Sequence, residues 1–183
     1  MPQSYSNKNF VRLRPNGDTH EREVCDTCGF IDYQNPKIVV GSVVRYNDQI
    51  LMCRRAISPS KGLWTLPAGY LEIGETVEEG ARREAREEAC ADIRIDSVLA
   101  VYSLAHIGQV QIMHLATLQQ PHFAAGEESL EVNLFPWDAL PLDELAFPSV
   151  SWALKHARIA LDTQPELPFT TPPTQRYGVG PST

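Results

Sequence analysis

The stretch GYLEIGETVEEGARREAREEAC, residues 69–90, decides the fold because it places acidic side chains where a helix normally buries hydrocarbon. The pattern predicts a helix from about Thr76 to Cys90, with Thr76 as the N-cap and acidic residues in the first turn, where the helix dipole favours negative charge. At about 100° per residue, Glu84 and Glu88 fall one turn apart on the apolar side of this helix, and Glu87 flanks the same edge. The apolar residues on that side are Val77, Ala81 and Ala85.

An ordinary solvated helix explains only part of this charge pattern. Glu–Arg pairs three or four residues apart contribute about 0.2–0.5 kcal/mol each, and such pairs account for Glu79, Arg82 and Arg86. They leave Glu84 and Glu88 beside a buried surface, where like charges repel each other and desolvation is costly. A divalent cation would compensate both charges, and carboxylate oxygens favour Mg²⁺ or Mn²⁺ over zinc.

The spacing of these residues resembles the Nudix box, the signature of a family of pyrophosphate-cleaving hydrolases. The matching positions are Gly69, Glu75, Arg83-Glu84 and Glu87-Glu88. Two positions depart from the pattern: Ala85 replaces a larger aliphatic residue, and Cys90 stands where a glycine is expected near the helix end. Because glycine there permits the left-handed conformation that ends a helix, its loss predicts a different C-terminal exit.

Composition limits the classes of partner. The chain has 183 residues, 43% of them hydrophobic, which is enough for one sizeable domain and an appendage. Its net charge of −7 argues against a nucleic-acid partner, because phosphate-backbone binding requires a basic face. Neither a signal peptide nor a membrane-spanning stretch is recognisable, so the chain is predicted to be cytoplasmic, with no membrane partner and no disulfide framework.

Three segments are expected along the chain: a polar, turn-rich segment over 1–36, a main domain over 37–163 and a Pro-rich tail over 164–183 that is irregular or forms a strap. The first two strands of the main domain should form an antiparallel pair. A closing amphipathic helix is predicted at Trp152–Leu161. The predicted strands are 37–46, 49–55, 63–66, 93–103, 109–118 and 130–135.

Stretches outside the box resemble a narrower Nudix group, the FAD and ADP-ribose pyrophosphatases that carry an amino-terminal zinc-ribbon segment. These stretches, within about residues 20–150, are CDTCGFIDYQNPKIVVGSVV, CRRAISPSKGLWTLPAGYLEIGE, AVYSLAHIGQV and GEESLEVNLF. The resemblance implies an α/β fold, the Nudix α/β/α sandwich with a mixed β-sheet, preceded by a small ribbon-like β segment. It also implies a homodimer that uses Mg²⁺ or Mn²⁺ to hydrolyse FAD to FMN and AMP, or ADP-ribose to AMP and ribose 5-phosphate.

The same resemblance implies roles for individual residues. The metal ligands would be Glu84, Glu87 and Glu88, with the backbone carbonyl near Ala68-Gly69, and Arg83 would orient a carboxylate. The catalytic base would come from GEESLEVNLF, where we favour Glu128 with Glu131 behind it; a solvent-facing acidic loop is the ordinary alternative. The expected substrate contacts are Arg54, Arg55, Tyr102, Ser103, His106 and Gln109.

The ribbon segment has only part of a zinc site. A structural zinc requires four ligands, usually from two C-x-x-C knuckles, and this chain has only Cys25-x-x-Cys28. The position of the other knuckle reads QSYSN, residues 3–7, and His20 offers one further ligand. We therefore expect Zn²⁺ to be absent and Cys25 and Cys28 to lie in a turn that folds without it.

Other functions stay open at the level of sequence. Within the enzymes, the alternatives are a nucleoside-triphosphate pyrophosphatase and an NADH pyrophosphatase, although the SQPWPFP-type run typical of the latter is missing. A non-catalytic, ADP-ribose-sensing Nudix module would normally lack a box carboxylate, and this chain has them all. An RNA-binding or decapping protein would need a basic channel, which the acidic composition disfavours.

Overall fold

The computed structural model of this protein describes residues 9–172, which fall in two units, Met1–Asn35 and Pro36–Thr183. In the first unit, three short strands pair antiparallel in the order β1-β2-β3. The strands are β1 (Phe10–Leu13), β2 (Arg22–Cys25) and β3 (Ile31–Asp32). Between β1 and β2 the chain reverses at a turn in which the Asp18 N–H donates to the Pro15 carbonyl at 3.0 Å.

The Cys25 and Cys28 pair lies in the turn that follows β2. Cys25 is buried and Cys28 is exposed, and both thiols are free. Backbone N–H groups of Cys28 and Thr27 donate to the Cys25 sulfur and lower the pKa of its thiol. His20 instead hydrogen-bonds the Thr19 hydroxyl at 2.9 Å, and residues 3–7 lie outside the described part of the chain. The absence of zinc stays a prediction.

The second unit is built on one mixed sheet with the strand order β10-β5-β4-β9-β8-β11. Strand β4 runs parallel to β9, and β11 runs parallel to β8, whereas the other pairs are antiparallel. Two short strands lie off this path, with β6 beside β5 and β7 beside β4. The bounds are β4 (Lys37–Tyr46), β5 (Gln49–Arg55), β6 (Trp64–Thr65), β7 (Ala68–Tyr70), β8 (Ile93–Leu104), β9 (Gln109–Leu118), β10 (Ser129–Pro136) and β11 (Phe169–Thr170).

Each face of this sheet is covered by one helix. Because successive side chains of a strand point to opposite faces, Val43 packs in the core under helix α2 (Pro148–Thr163), while Val44 packs in the core under helix α1 (Val77–Ala89). Burial of apolar surface on both faces explains why β4 is an almost continuous apolar run. The predicted α/β class, with a mixed sheet between helices and a small antiparallel sheet before it, is confirmed.

The sequence located the main elements but not all of them. The strands predicted at 37–46, 49–55 and 109–118 have those bounds in the structure. Helix α2 starts earlier than predicted, because Pro148 occupies its first turn, where the missing N–H costs nothing. In the tail segment, β11 pairs with β8; residues 173–183 lie outside the described part. Within residues 9–172, no helix has the length and apolar character to cross a membrane.

Helix α1 begins as predicted and ends differently from the prediction. Thr76 is its N-cap, and a reciprocal pair of hydrogen bonds with Glu79 forms a capping box. At the other end, Cys90 itself adopts the left-handed conformation, with φ 48° and ψ 31°, and its N–H bonds to helix carbonyls. The expectation of a different exit was therefore wrong: the turn that glycine favours is kept, with a strained cysteine in it.

Replacement of Cys90 by glycine should stabilise the protein. A non-glycine residue in the left-handed region costs roughly 1–2 kcal/mol, and the entropy that glycine loses on folding offsets part of the gain. We expect Cys90→Gly to raise the free energy of unfolding by about 0.5–1 kcal/mol in urea denaturation. Cys90→Ala, which removes the thiol but keeps the strain, is the control and should show no such gain; an equal gain would contradict the explanation.

Candidate active site

A large cleft opens in the second unit beside helix α1, on the side that carries Glu84, Glu87 and Glu88. Its volume is about 1530 Å³. Strand β7 and helix α1 provide one side of the lining, and the start of helix α2 provides residues on the other. The cleft is therefore large enough for a ligand of dinucleotide size.

Two carboxylates at this cleft are buried, as the helical wheel predicts. Glu84 is 7% exposed and Glu88 is 5% exposed, whereas the side chain of Glu87 is 58% exposed. Burial raises the pKa of Glu84 and raises that of Glu88 to about 8, with nearby negative charge adding to both shifts. The Ala68 N–H donates to Glu88 Oε2 at 3.2 Å. Both side chains thus carry an energetic cost that favours a positive partner.

Strand β7 approaches these carboxylates closely because it contains Gly69. A Cβ atom at this position would collide with the carboxylate of Glu84. Gly69 therefore serves close approach of strand and carboxylate, and Ala68 and Gly69 both line the cleft beside Glu84 and Glu88.

Arg83 is the organising cation of the acidic cluster. Its Nε donates to Glu75 Oε1 at 2.7 Å, and its Nη1 donates to Glu84 Oε1 at 2.6 Å and to Glu87 Oε2 at 2.9 Å. Its Nη2 also donates to the carbonyl of Tyr70 at 2.9 Å. Hydrogen bonding to Glu75 is the first cause that raises the pKa of Arg83 itself. The role of Arg83 in orienting carboxylates stays a prediction.

Arg83 already neutralises part of the charge of the acidic cluster. In residues 9–172, no three side chains among His, Cys, Asp and Glu stand in a metal-holding group. The guanidinium lies between Glu84 and Glu87, where a cation is needed, and offsets part of their charge. The donor set still fits a hard divalent ion, because the oxygens of Glu84 and Glu88 are buried and lack full compensation.

Several predicted site residues meet in this cleft. Arg55, His106, Gln109 and Glu128 all line it together with the box carboxylates. The Arg55 guanidinium lies 5.2 Å from the centroid of the Phe147 ring, its Nε donates to the Pro59 carbonyl at 2.8 Å, and its positive charge acts to lower the pKa of Glu88. Arg55 thus stands between the acidic cluster and an aromatic side chain.

Arg54 and Glu131 were predicted at the site, but the structure does not bring them there. They lie directly opposite each other on β5 and β10, and Arg54 Nη1 is 3.7 Å from Glu131 Oε2. Asn133 Nδ2 also donates to Glu131 Oε1 at 2.6 Å. Neither residue is in the cleft lining, because neighbouring residues of a strand face opposite sides of the sheet and Arg55 takes the cleft side.

Tyr102 and Ser103 also lie outside the cleft lining, contrary to the prediction. The Tyr102 ring is fully buried under α2, where its hydroxyl is 2.7 Å from His156 Nδ1 and its ring packs edge-on against Trp152. Ser103 is exposed, and its N–H donates to the Thr171 hydroxyl at 2.8 Å. The end of β8 therefore anchors α2 and the tail segment.

Residues at the start of α2 belong to the site and were missed. Phe147, Ser149 and Trp152 line the cleft, together with Ile57 and Pro59 from the loop after β5. Ser149 and Trp152 are buried, at 9% and 8% exposure. Pro148 was an available signal for an earlier helix start, but the meeting of α2 with the cleft is a tertiary contact that periodicity does not encode.

Both units of the chain are similar to known proteins. The family model described as NUDIX domain matches residues 35–153, and the model described as Nudix N-terminal, named for a zinc ribbon, matches residues 8–34. The crystal structure of a NUDIX hydrolase from Nitrosomonas europaea is 40% identical, with a TM-score of 0.82, covering 92% of this chain and 94% of that one.

Two curated relatives carry names that describe an activity. An ADP-ribose pyrophosphatase from Methanocaldococcus jannaschii is 32% identical over 63% of this chain and 69% of its own length. The NAD-capped RNA hydrolase NudC from Haemophilus influenzae is 33% identical over 60% of this chain, which corresponds to 39% of its own length. The chain therefore spans most of the first protein and well under half of the second.

Replacement of Glu88 by glutamine should stabilise the metal-free protein at high pH. Burial raises the pKa of Glu88 from 4.5 to about 8. The stability that the protonated Glu88 side chain contributes is therefore complete below the pKa of the unfolded state, and it is lost as pH rises through about 8. In EDTA at about pH 9, Glu88→Gln should raise the free energy of unfolding by on the order of 1–3 kcal/mol.

Urea denaturation followed by circular dichroism measures this difference. The matched control is Glu87→Gln on the same helix, whose exposed side chain should change the free energy of unfolding by less than about 0.5 kcal/mol. A Glu88→Gln variant that is less stable than the wild type at this pH would contradict the assignment of a costly buried charge.

Proposed function

This chain belongs to the NUDIX family and carries a pyrophosphohydrolase domain that acts on nucleotide derivatives, and we propose that its substrates are nucleoside diphosphates linked to a second moiety, ADP-ribose first and FAD second. The products would be AMP and ribose 5-phosphate from ADP-ribose, and FMN and AMP from FAD. The observation that carries this proposal is the burial of Glu84 and Glu88 at the floor of a cleft of dinucleotide size.

NUDIX hydrolases generally use divalent metals, and we propose Mg²⁺ or Mn²⁺ here. Glu84, Glu87 and Glu88 would hold the ion, with help from backbone carbonyl oxygens near Ala68-Gly69. All of these donors are hard oxygens, the class that both ions prefer. The chemistry that a bound ion supplies is neutralisation of the diphosphate charge and activation of water.

The remaining steps are assigned to the chain's own side chains. Arg83 holds Glu84 and Glu87 in place through the short contacts described above. Arg55 is positioned to pair with a phosphate oxygen, since it lines the cleft near Glu88. Glu128 would accept the proton of the attacking water while the water oxygen bonds to phosphorus and the bridging phosphoanhydride bond breaks.

The apolar part of the cleft suits a ring system. Phe147 and, from α2, Trp152 both line the cleft, and the Arg55 guanidinium lies over one face of the Phe147 ring. An adenine or flavin ring placed there would gain stacking and apolar burial while the diphosphate reaches the carboxylates. The name of the archaeal relative supports ADP-ribose, and the narrower sequence resemblance supports FAD as well.

Two alternatives make different demands on the chain. The name of NudC points to NAD-like substrates, which share the nucleoside diphosphate, but the net charge of −7 disfavours the RNA part of a capped transcript. A module that senses ADP-ribose without cleaving it would not need the full carboxylate set, which this chain has. A cytoplasmic location and a homodimer stay predictions from the sequence.

Charge removal at the buried carboxylates should abolish turnover. Wild-type protein would be incubated with ADP-ribose, FAD, NADH, diadenosine polyphosphates and nucleoside triphosphates in Mg²⁺ or Mn²⁺, with products separated by chromatography. For the best substrate, Glu84→Gln should lower kcat/KM by about 10³-fold or more, because a ligand charge and a contact to Arg83 are lost. Glu78→Gln, on the same helix but outside the cleft, is the control, and full activity of Glu84→Gln would refute the proposal.

The two candidate bases can be separated by substitution. Because Glu128 lines the cleft and Glu131 is paired with Arg54 away from it, Glu128→Gln should lower kcat by about 10²–10³-fold, whereas Glu131→Gln should change it by less than about 3-fold. Initial rates at saturating substrate measure both. The reverse ranking would show that Glu131 reaches the site in solution and that the assignment to Glu128 is wrong.

A further inference from the structure

The loop between β9 and β10, residues 119–128, docks on the last turn of helix α1. The final carbonyl groups of a helix lack partners within it and must find donors elsewhere. Here the Ala124 N–H donates to the Ala89 carbonyl at 2.9 Å, and the Gly126 N–H donates to the Glu88 carbonyl at 3.1 Å. The loop therefore caps the same helix turn that presents Glu88 to the cleft.

Gly126 is the point of closest approach in this contact. A Cβ atom there would collide with the carbonyl oxygen of Glu87 and would lie 2.8 Å from the Glu87 carbonyl carbon. The obstacle is helix backbone, which cannot rotate away as a side chain can. The φ angle of Gly126 is not in the left-handed region, so a larger residue would suffer from the collision and not from its own backbone conformation.

The residues after Gly126 carry the candidate base. Glu127 and Glu128 line the cleft, and burial followed by nearby negative charge, Glu128 included, raises the pKa of both Glu84 and Glu88. Beyond Glu128, the chain is held again, because its carbonyl accepts from the Ala56 N–H at 2.8 Å. Glu128 thus lies on a short segment fixed at one end by the helix contact and at the other by the sheet.

We propose that Gly126 is a positioning residue for the reaction: its lack of a side chain lets the loop dock on the last turn of α1, and this docking holds Glu128 at the carboxylate cluster. The inference rests on the proposed function in one respect, the role of Glu128 as base. The docking itself is independent of that role. A methyl group at position 126 would displace the loop by on the order of 1 Å, enough to cost a positioned catalytic group about 10²-fold in rate.

The test compares Gly126→Ala with the wild type in kcat, KM and affinity for Mn²⁺ measured by electron paramagnetic resonance. We expect kcat to fall about 10²-fold while KM and Mn²⁺ affinity change by less than about 3-fold, because the metal-binding carboxylates stay in place. In a Glu128→Gln background, Gly126→Ala should lower kcat by less than about 3-fold further, since the group that it positions is already gone. The matched control is Ala125→Ser, which adds one atom to the exposed neighbouring side chain and should leave kcat unchanged.

Hydrogen exchange separates failure of this inference from failure of the proposed function. In the wild type, the amides of Ala124 and Gly126 should exchange slowly, and in Gly126→Ala they should exchange at least about 10-fold faster, whether or not any substrate is cleaved. Fast exchange of both amides in the wild type would overturn the docking, and slow exchange in both proteins would overturn the requirement for glycine at position 126. Fast exchange in the variant without turnover of any tested substrate by the wild type would leave the docking standing and remove the proposed function, and with it the role of Gly126.

Two further outcomes would overturn the positioning role. One is an unchanged kcat in Gly126→Ala, and the other is an equal loss of kcat with and without Glu128. If Gly126→Ala does not fold, Ala124→Pro provides the second test, because it removes the donor to the Ala89 carbonyl and adds no atom at position 126. The same dependence on Glu128 is expected, and its absence would count against the proposal in the same way.

Discussion

The structure depends on two carboxylates being buried at the edge of a sheet. Glu84 and Glu88 are almost completely shielded from water, and an unpaired buried charge is among the most costly features that a fold can contain. Arg83 offsets part of this cost because it forms ion pairs with Glu75, Glu84 and Glu87. A hydrogen bond from the Ala68 backbone N–H stabilises Glu88. Gly69 on β7 follows from the same constraint, because a side chain there would displace the Glu84 carboxylate from its place beside the strand.

Much of this could be predicted from the sequence because it follows from local periodicity. The helical wheel places Glu84 and Glu88 on the buried side of α1, and their burial shows that the wheel ranked these residues correctly against Glu87. The apolar runs that became β4, β5 and β9 are equally local signals. Periodicity also explains one error, since Arg54 and Arg55 are adjacent in sequence and must face opposite sides of β5, so only one of them could reach the cleft.

The remainder of the site is set by tertiary contacts that no local pattern contains. Phe147 and Trp152 reach the cleft because α2 packs across the face of the sheet with its first turn at the cleft. Tyr102 instead packs in the core under α2, where a hydrogen bond to His156 satisfies its hydroxyl. The family resemblance of the segment YSLAHIGQV could place that segment near the site, but it could not show to which face of the sheet each side chain of β8 points. The register of β8 against β9 shifts at two places, and each shift changes the face to which the later residues of β8 point. Simple alternation along the sequence therefore cannot predict the orientation of those side chains.

The C-terminal end of α1 shows why a departure from a family pattern need not change the architecture. Cys90 replaces the expected glycine, yet the helix still ends in the left-handed turn, because two separate sets of contacts hold that end in place. From within the helix segment, the N–H groups of Cys90 and Ala91 bond back to the carbonyls of Arg86 and Ala85. From the loop, the amides of Ala124 and Gly126 bond to the carbonyls of Ala89 and Glu88. Because hydrogen bonds hold the helix end from both directions, it can accept a strained residue at position 90. The same close packing leaves no room for a side chain at position 126. The helix end therefore tolerates a cysteine at position 90, whereas the loop that packs against it requires a glycine at position 126.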